Sequence, residues 1–243
     1  MSEPTALICK GCWQHMHVPI PIRGPLSIPF WLVGIRKSQM NPNLCTICET
    51  NFTKVKKKKQ IVISSTVLFA DLRGYTSFSE RTAGAEVVQM LHGFYDECAA
   101  AVWERDGIVN KFIGDAVLAI FNFPIMRKDH TRQAVLAGME IQRRWRQTMG
   151  PAPSGTGVPV GVGIGIHTGE ASMGEVGTAY RDFTIIGPVV NLASRIQQAA
   201  GLGEVLLTEA AYRQVNDLFP HAEARTVQLK GIEEPVSAYV LRA

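Results

Sequence analysis

The chain has 243 residues, of which 46% are hydrophobic and 19% charged, with a formal net charge of +4. This is the balance of an ordinary soluble globular protein, long enough for one good-sized domain and a small appendage. Its longest apolar stretch, Ile28 to Ile35, falls far short of the ~20 residues that cross a bilayer, which excludes a transmembrane helix.

The positive charge is concentrated at one end. Residues 1–60 hold nine Lys/Arg and two acidic residues, against sixteen and nineteen in the remainder. The first 53 residues are rich in Pro, Gly and Cys and show little periodicity. Four prolines between Val18 and Pro29 forbid a helix there. Lys54 to Gln60 is a self-repelling lysine run that reads as a linker. The expected division is therefore a Cys-rich, candidate zinc-binding segment at 1–53, a basic linker at 54–60 and a larger domain at 61–243. No basic patch followed by an apolar run opens the chain, so no signal peptide is expected.

From Ile61 the pattern becomes regular. Ile61 to Ala70 is rich in β-formers and leads into Asp71-Leu72-Arg73-Gly74, a strand entering a tight turn. Ser79 to Arg105 has apolar residues at helical spacing, from Val87 through Phe94 and Cys98 to Val102. Ile108–Ile113 and Ala116–Phe121 flank the turn pair Gly114-Asp115 and predict a hairpin. His130 to Met149 predicts a second helix, Pro151 to Pro159 a loop, Val160 to Thr168 a strand and Val189 to Ala200 a third helix. Short strands are expected at Glu204–Thr208, Arg225–Leu229 and Val236–Leu241. The order β-α-β-β-α-β with extra C-terminal elements is the α+β, ferredoxin-like arrangement.

Two aspartates stand out. Asp71 sits at the mouth of the apolar strand Val67-Leu68-Phe69-Ala70, where a carboxylate is costly unless compensated. Asp115 lies at the tip of the hairpin, which this topology places beside the first strand. Carboxylates converging at neighbouring strand ends suit two divalent cations that also bind a triphosphate. Gly74 lets backbone N–H groups approach phosphates, and Thr76 adds a hydroxyl. The alternating Gly161-Val162-Gly163-Ile164-Gly165 lacks dinucleotide-binding spacing; it places three glycines on one strand face, where a helix or partner chain packs closely.

Phe69-Ala70-Asp71-Leu72-Arg73-Gly74-Tyr75-Thr76 and Lys111-Phe112-Ile113-Gly114-Asp115 resemble the two metal-site motifs of class III adenylate and guanylate cyclases. Thr184 to Arg195 resembles that family's transition-state segment, and Leu229 to Val236 its C-terminal phosphate-binding motif. The resemblance runs from about Ile61 to the C-terminus. Its departures are Tyr75, where Phe is common, and Pro188, where a polar residue is common. It implies a palm-type cyclase core that makes cyclic AMP from ATP in a homodimer with two shared active sites. Asp71, Asp115 and the backbone at Leu72 would hold two Mg²⁺ or Mn²⁺ ions. Asn191 would orient the ribose, Arg195 stabilise the transferring phosphorus, and Lys230, with Gly74, Tyr75 and Thr76, bind phosphates. Lys111 and Thr184 occupy the base-selecting positions. Lys111 can only donate and Thr184 can accept, which complements adenine; guanine would favour a carboxylate at 111. A guanylate cyclase or another nucleotidyl cyclase on the same palm-like fold remains the alternative within this class.

Cys9-x-x-Cys12 and Cys45-x-x-Cys48 offer four thiols in two clips, separated by 32 residues. Four thiolates suit tetrahedral Zn²⁺; an iron–sulfur cluster or unligated thiols are the other readings. His15 and His17 are spare candidate ligands. Thiols spaced for metal ligation rather than disulfides favour a reducing, cytoplasmic setting. A basic, zinc-clipped segment on a ferredoxin-like sheet also invites a nucleic-acid-binding reading. The body beyond residue 60 is net acidic and carries no RNA-recognition signature, so no nucleic-acid partner is expected.

Overall fold

The structure is a computed structural model and describes residues 6–49, 61–149, 158–176 and 182–243. The lysine linker at 54–60 and most of the loop expected at 151–159 lie outside the described residues. Among the described residues no helix is long and apolar enough to cross a membrane.

The larger part runs β1 (Ile61–Arg73), α3 (Tyr75–Ser79), α4 (Gly84–Glu104), β2 (Ile108–Ile113), β3 (Ala116–Phe121), α5 (His130–Met149) and β4 (Gly161–Val176). It continues with β5 (Asp182–Ile186), α6 (Pro188–Ala199), β6 (Glu204–Thr208), α7 (Glu209–Tyr212), β7 (Glu223–Val227) and β8 (Val236–Arg242). The strands form one mixed sheet in the order β2-β3-β1-β4-β6-β8-β7, with β5 paired to β4. The first four strands are antiparallel in the order β2-β3-β1-β4, the ferredoxin-like core. The extension enters through the parallel pair β4–β6.

Alternation along β1 divides the core. Leu68, Ala70 and Leu72 point to the face covered by α4 and α5, where Phe94, Cys98, Ile141 and Trp145 are buried. Val67 and Phe69 point to the other face, together with Leu118 and Ile120 of β2's neighbour β3. That second face is covered in part by α6, through Val189 and Ala193, and in part by the cysteine-rich segment. Each fully buried Leu, Ile or Phe contributes roughly 1.5–3 kcal/mol, so the cover over this face is a substantial share of the stability.

The N-terminal segment holds α1 (Lys10–Met16), a 3₁₀ turn at Pro25–Ser27 and α2 (Ile28–Leu32). A helix at 28–32 departs from the proline argument. Pro29 lies in the first turn, where the missing N–H has no intrahelical partner to lose. Ile20, Ile22 and Leu44 join the sheet's second core cluster. Polar contacts fix the docking. The Met40 carbonyl accepts from the Val109 N–H at 3.1 Å and from Trp103 Nε1 at 2.6 Å. Asn41 Nδ2 donates to the Gly107 carbonyl at 2.7 Å, and Lys10 pairs with Asp106.

Other differences are local. β1 runs on to Arg73, because it pairs with β3 as far as Asp71 and with β4 through Arg73. The helix expected from Ser79 to Arg105 begins later, as α4 at Gly84, and Ser79 instead closes the separate short helix α3. β4 extends to Val176 and pairs with β5, a strand that periodicity did not reveal.

Candidate active site

Asp71 lies within β1, opposite Ala116 of β3 on one side and Gly163 of β4 on the other. The Asp115 carbonyl accepts from the Leu72 N–H at 3.2 Å, so the hairpin turn is tied to the end of β1. Two glycines permit this. Gly114 turns the hairpin at φ +59°. Gly74 ends the strand at φ +81°, and a Cβ there would stand 2.3 Å from the Pro159 carbonyl oxygen. Asp71 shares the face of Val67 and Phe69, since the strand alternates. Leu72 buries its side chain under α4 and α5, leaving only its main chain to the site. Beyond the turn Tyr75 is half-buried against the core, while Thr76 is exposed.

The site is electrostatically uncomfortable without a cation. Burial raises the Asp71 carboxyl above its ordinary range, and the Asp115 charge raises it further. Arg73 and a hydrogen bond from Gln197 oppose this. Arg73 is 3.8 Å from the carboxylate and is held by the end of α6, donating to the Ala200 carbonyl at 3.0 Å and to the Gln197 carbonyl. Two half-buried carboxylates with main-chain groups between them are hard oxygen donors, the set that suits Mg²⁺ or Mn²⁺.

The glycine-rich stretch of β4 allows α6 to lie this close. A Cβ at Gly165 would stand 2.2 Å from the Gln197 nitrogen, and one at Gly163 would stand 2.6 Å from Arg73 Nε. The glycine pattern had signalled a close neighbour. The roles of Arg73 and Gln197 went unrecognised: Arg73 lies two residues along β1 from Asp71, and only the crossing of α6 over β4 brings Gln197 to it. Tyr95 was also missed. It donates to the Gly114 carbonyl, and its ring stacks on Phe112 with centroids 4.2 Å apart, bracing the hairpin from α4.

Lys111 is half-buried on β2, directly after an irregularity between Val109 and Lys111. Thr184 lies on β5, with its hydroxyl 3.4 Å from the Asn110 amide oxygen. β5 thus reaches the neighbourhood of Lys111. α6 presents two different faces. Val189, Ala193, Ile196 and Gln197 are buried, whereas Asn191 is exposed and Arg195 half-exposed on the opposite side. The contact of α6 with Asp71 is therefore Gln197, and Asn191 and Arg195 face outward. Lys230 is exposed in the loop between β7 and β8.

The four cysteines of the clips converge. All four Sγ atoms lie within 4.8 Å of one another, with Cys12–Cys48 at 3.2 Å, Cys12–Cys45 at 3.4 Å and Cys9–Cys48 at 3.5 Å. These separations are far from a bonded S–S of about 2.05 Å. They approach the ~3.8 Å edge of a tetrahedron built on Zn–S bonds of about 2.3 Å. The N–H groups of Cys12 and Cys45 point at Cys9 Sγ, at 3.4 and 3.2 Å. Hydrogen bonding with Cys48 pulls the Cys45 thiol down, whereas burial holds the proton on Cys12. Gly11 is required between them, because a Cβ there would stand 2.9 Å from Cys48 Sγ. His15 bonds the Pro124 carbonyl instead of joining the cluster, and His17 caps α1.

The family model for the adenylate and guanylate cyclase catalytic domain matches residues 56–243. An adenylate cyclase of Anabaena cylindrica is 34% identical over 73% of this chain. Adenylate cyclase 1 of Rhizobium meliloti is 30% identical over 72%. The chain spans only 36% and 27% of those proteins' lengths. Among solved structures, the adenylyl cyclase CyaB from P. aeruginosa is similar at 28% identity and a TM-score of 0.66, covering 76% of this chain and 97% of that one. The guanylyl cyclase Cya2 is similar at 31% identity and a TM-score of 0.66, covering 74% and 92%. With its ferredoxin-like sheet and paired strand-end aspartates, the chain belongs to the adenylate and guanylate cyclase catalytic domain family.

Proposed function

We propose that this chain converts ATP to 3′,5′-cyclic AMP and pyrophosphate at a site completed by a second copy of itself. The supporting observation is the split of the polar residues. Asp71 and Asp115 meet at one end of the sheet, while Asn191 and Arg195 look outward from α6. A closed two-fold dimer lets the outward set of one copy serve the aspartates of the other, twice.

Asp71, Asp115 and the main chain at Leu72 would hold two Mg²⁺ or Mn²⁺ ions, which would supply neutralisation of the triphosphate charge and acidify the ribose 3′-hydroxyl. The ribose 3′-hydroxyl gives its proton to solvent as its oxygen attacks the α-phosphorus in line, and the bond from that phosphorus to the α–β bridging oxygen breaks, pyrophosphate carrying away the bonding electrons. Lys111 donates to adenine N1, and Thr184 accepts from the adenine amino group. Asn191 orients the ribose. Arg195 meets the charge that develops at phosphorus. Lys230 and the backbone at Gly74, Tyr75 and Thr76 hold the phosphates. In the N-terminal segment Cys9, Cys12, Cys45 and Cys48 close around one Zn²⁺ with a purely structural role. The ATP substrate and the reduced thiols suit a cytoplasmic setting.

The likeness to a guanylyl cyclase makes GTP the rival substrate. The purified chain is to be supplied with ATP and GTP side by side, with Mg²⁺ or Mn²⁺, and the cyclic products separated. Cyclic AMP as the main product supports the reading; cyclic GTP-derived product in excess assigns the chain to guanylate chemistry instead.

A further inference from the structure

Between the two cysteine clips the chain projects an apolar tip. Leu26, Ile28, Trp31, Leu32 and Val33 are 76%, 57%, 53%, 72% and 74% exposed. Five large outward hydrophobics within eight residues are an unusual concentration for a protein surface. The tip is firmly mounted. Ile22, Phe30 and Ile35 turn inward and pack against the second core cluster. The base of the loop is closed by β-bridges Ile8–Pro21 and Lys37–Cys45, next to the four-cysteine cluster.

The charge along this stretch of the chain has one sign. Residues 4–48 contain no acidic residue. Arg36 and Lys37 are exposed at the rim, and the Arg36 guanidinium lies 5.0 Å from the Trp31 ring centroid. We propose that this face docks on an anionic lipid surface, inserting Leu26, Ile28, Trp31, Leu32 and Val33 at the headgroup boundary while Arg36 and Lys37 meet lipid phosphates. Apolar insertion with a tryptophan, added to basic residues, is the combination that holds a protein at an anionic interface. A second copy is a poor occupant. A two-fold contact would set Arg36 and Lys37 against their own counterparts with no acid in the patch to answer them.

The test is flotation of the full chain with vesicles of equal parts phosphatidylcholine and phosphatidylglycerol, against vesicles of phosphatidylcholine alone. The chain is expected to float with the anionic vesicles and to be released as salt rises. The double variant Trp31→Asp, Leu32→Asp should weaken binding about tenfold or more by removing the inserted apolar surface, with melting temperature and nucleotide turnover unchanged. Arg36→Gln with Lys37→Gln should reduce the preference for anionic vesicles while leaving the tip intact. Absence of flotation with either vesicle overturns the proposal, as does binding that the Trp31–Leu32 variant leaves untouched. Self-association in sedimentation that the same variant abolishes, with no vesicle binding, would assign the face to a second copy or an acidic partner surface.

Discussion

Asp71 and Asp115 repel each other by charge and are held side by side through the backbone: the Leu72 N–H, one residue past Asp71, donates to the Asp115 carbonyl at 3.2 Å. The hairpin cannot shift along β1 without breaking this bond, so the two carboxylates keep one spacing. That spacing costs something in the absence of metal, since burial and the Asp115 charge hold Asp71 above its ordinary range.

Replacing either Asp71 or Asp115 by Asn should lower Mg²⁺-dependent turnover about a hundredfold or more, several kcal/mol of lost charge stabilisation. In metal-free protein Asp71→Asn should raise the melting temperature at neutral pH, because a carboxylate whose folded pKa is raised opposes folding once ionised. Added Mg²⁺ or Mn²⁺ should stabilise the wild type and not the variant. Near-normal activity in either variant would refute the paired-carboxylate site.

Base choice is tested by Lys111→Glu combined with Thr184→Cys. Both adenine contacts lose their direction, and at about 1 kcal/mol or more per hydrogen bond the ratio of ATP to GTP turnover should fall at least about tenfold. An unchanged ratio would show that these two positions do not read the base.

The cysteine cluster should carry about one zinc per chain, as a closed four-thiolate site does. The segment shares a core with Val67, Phe69, Leu118 and Ile120. Chelation or Cys48→Ser should therefore lower the melting temperature of the whole chain in one transition, instead of releasing a separately melting piece. Metal analysis that finds no zinc, together with four titratable thiols, would contradict the assignment.

Glu204 offers a pH test remote from catalysis. It is nearly buried and receives Arg225 at 2.8 Å and Arg242 at 2.7 Å. Arg225, first, then the Gly201 N–H and Arg242, lower its carboxyl from the usual 4.5 to about 2. A depressed folded pKa gives stability that is complete above the unfolded value and lost as pH falls through the folded one. Glu204→Gln should cost about 2 kcal/mol at pH 7, and in denaturant titrations the gap should shrink between pH 4.5 and 2. A gap that does not change with pH would mean that the ion pairs are not its source.

The ferredoxin-like core and the aspartate pair were legible because they depend on local features: an apolar run ending in Asp71, a Gly-Asp turn at 114–115 and helical spacing from Val87 to Val102. The i, i+4 spacing of Asn191 and Arg195 likewise anticipated their common face. What was hidden depends on distant chain. Nothing near Ile61 announces that the strand continues to Arg73, which follows from pairing with β3 as far as Asp71 and with β4 to the end. The strand at Asp182–Ile186 forms by pairing with the far end of β4, and Gln197 reaches Asp71 only because Gly165 leaves room for the helix. The docking of the cysteine segment rests on contacts such as Met40 with Trp103 and Val109, some 60 residues apart in the chain.

The shared site is tested most directly by mixing two inactive variants, Asp71→Ala and Arg195→Ala, and measuring cyclic AMP made from ATP. In a mixed dimer one site collects both lesions and the other collects neither. Activity should return on mixing, towards about half of a normal dimer's output for each heterodimer if the two sites act independently. If heterodimers form and cyclic AMP stays absent, each site is built within one chain and the account is wrong.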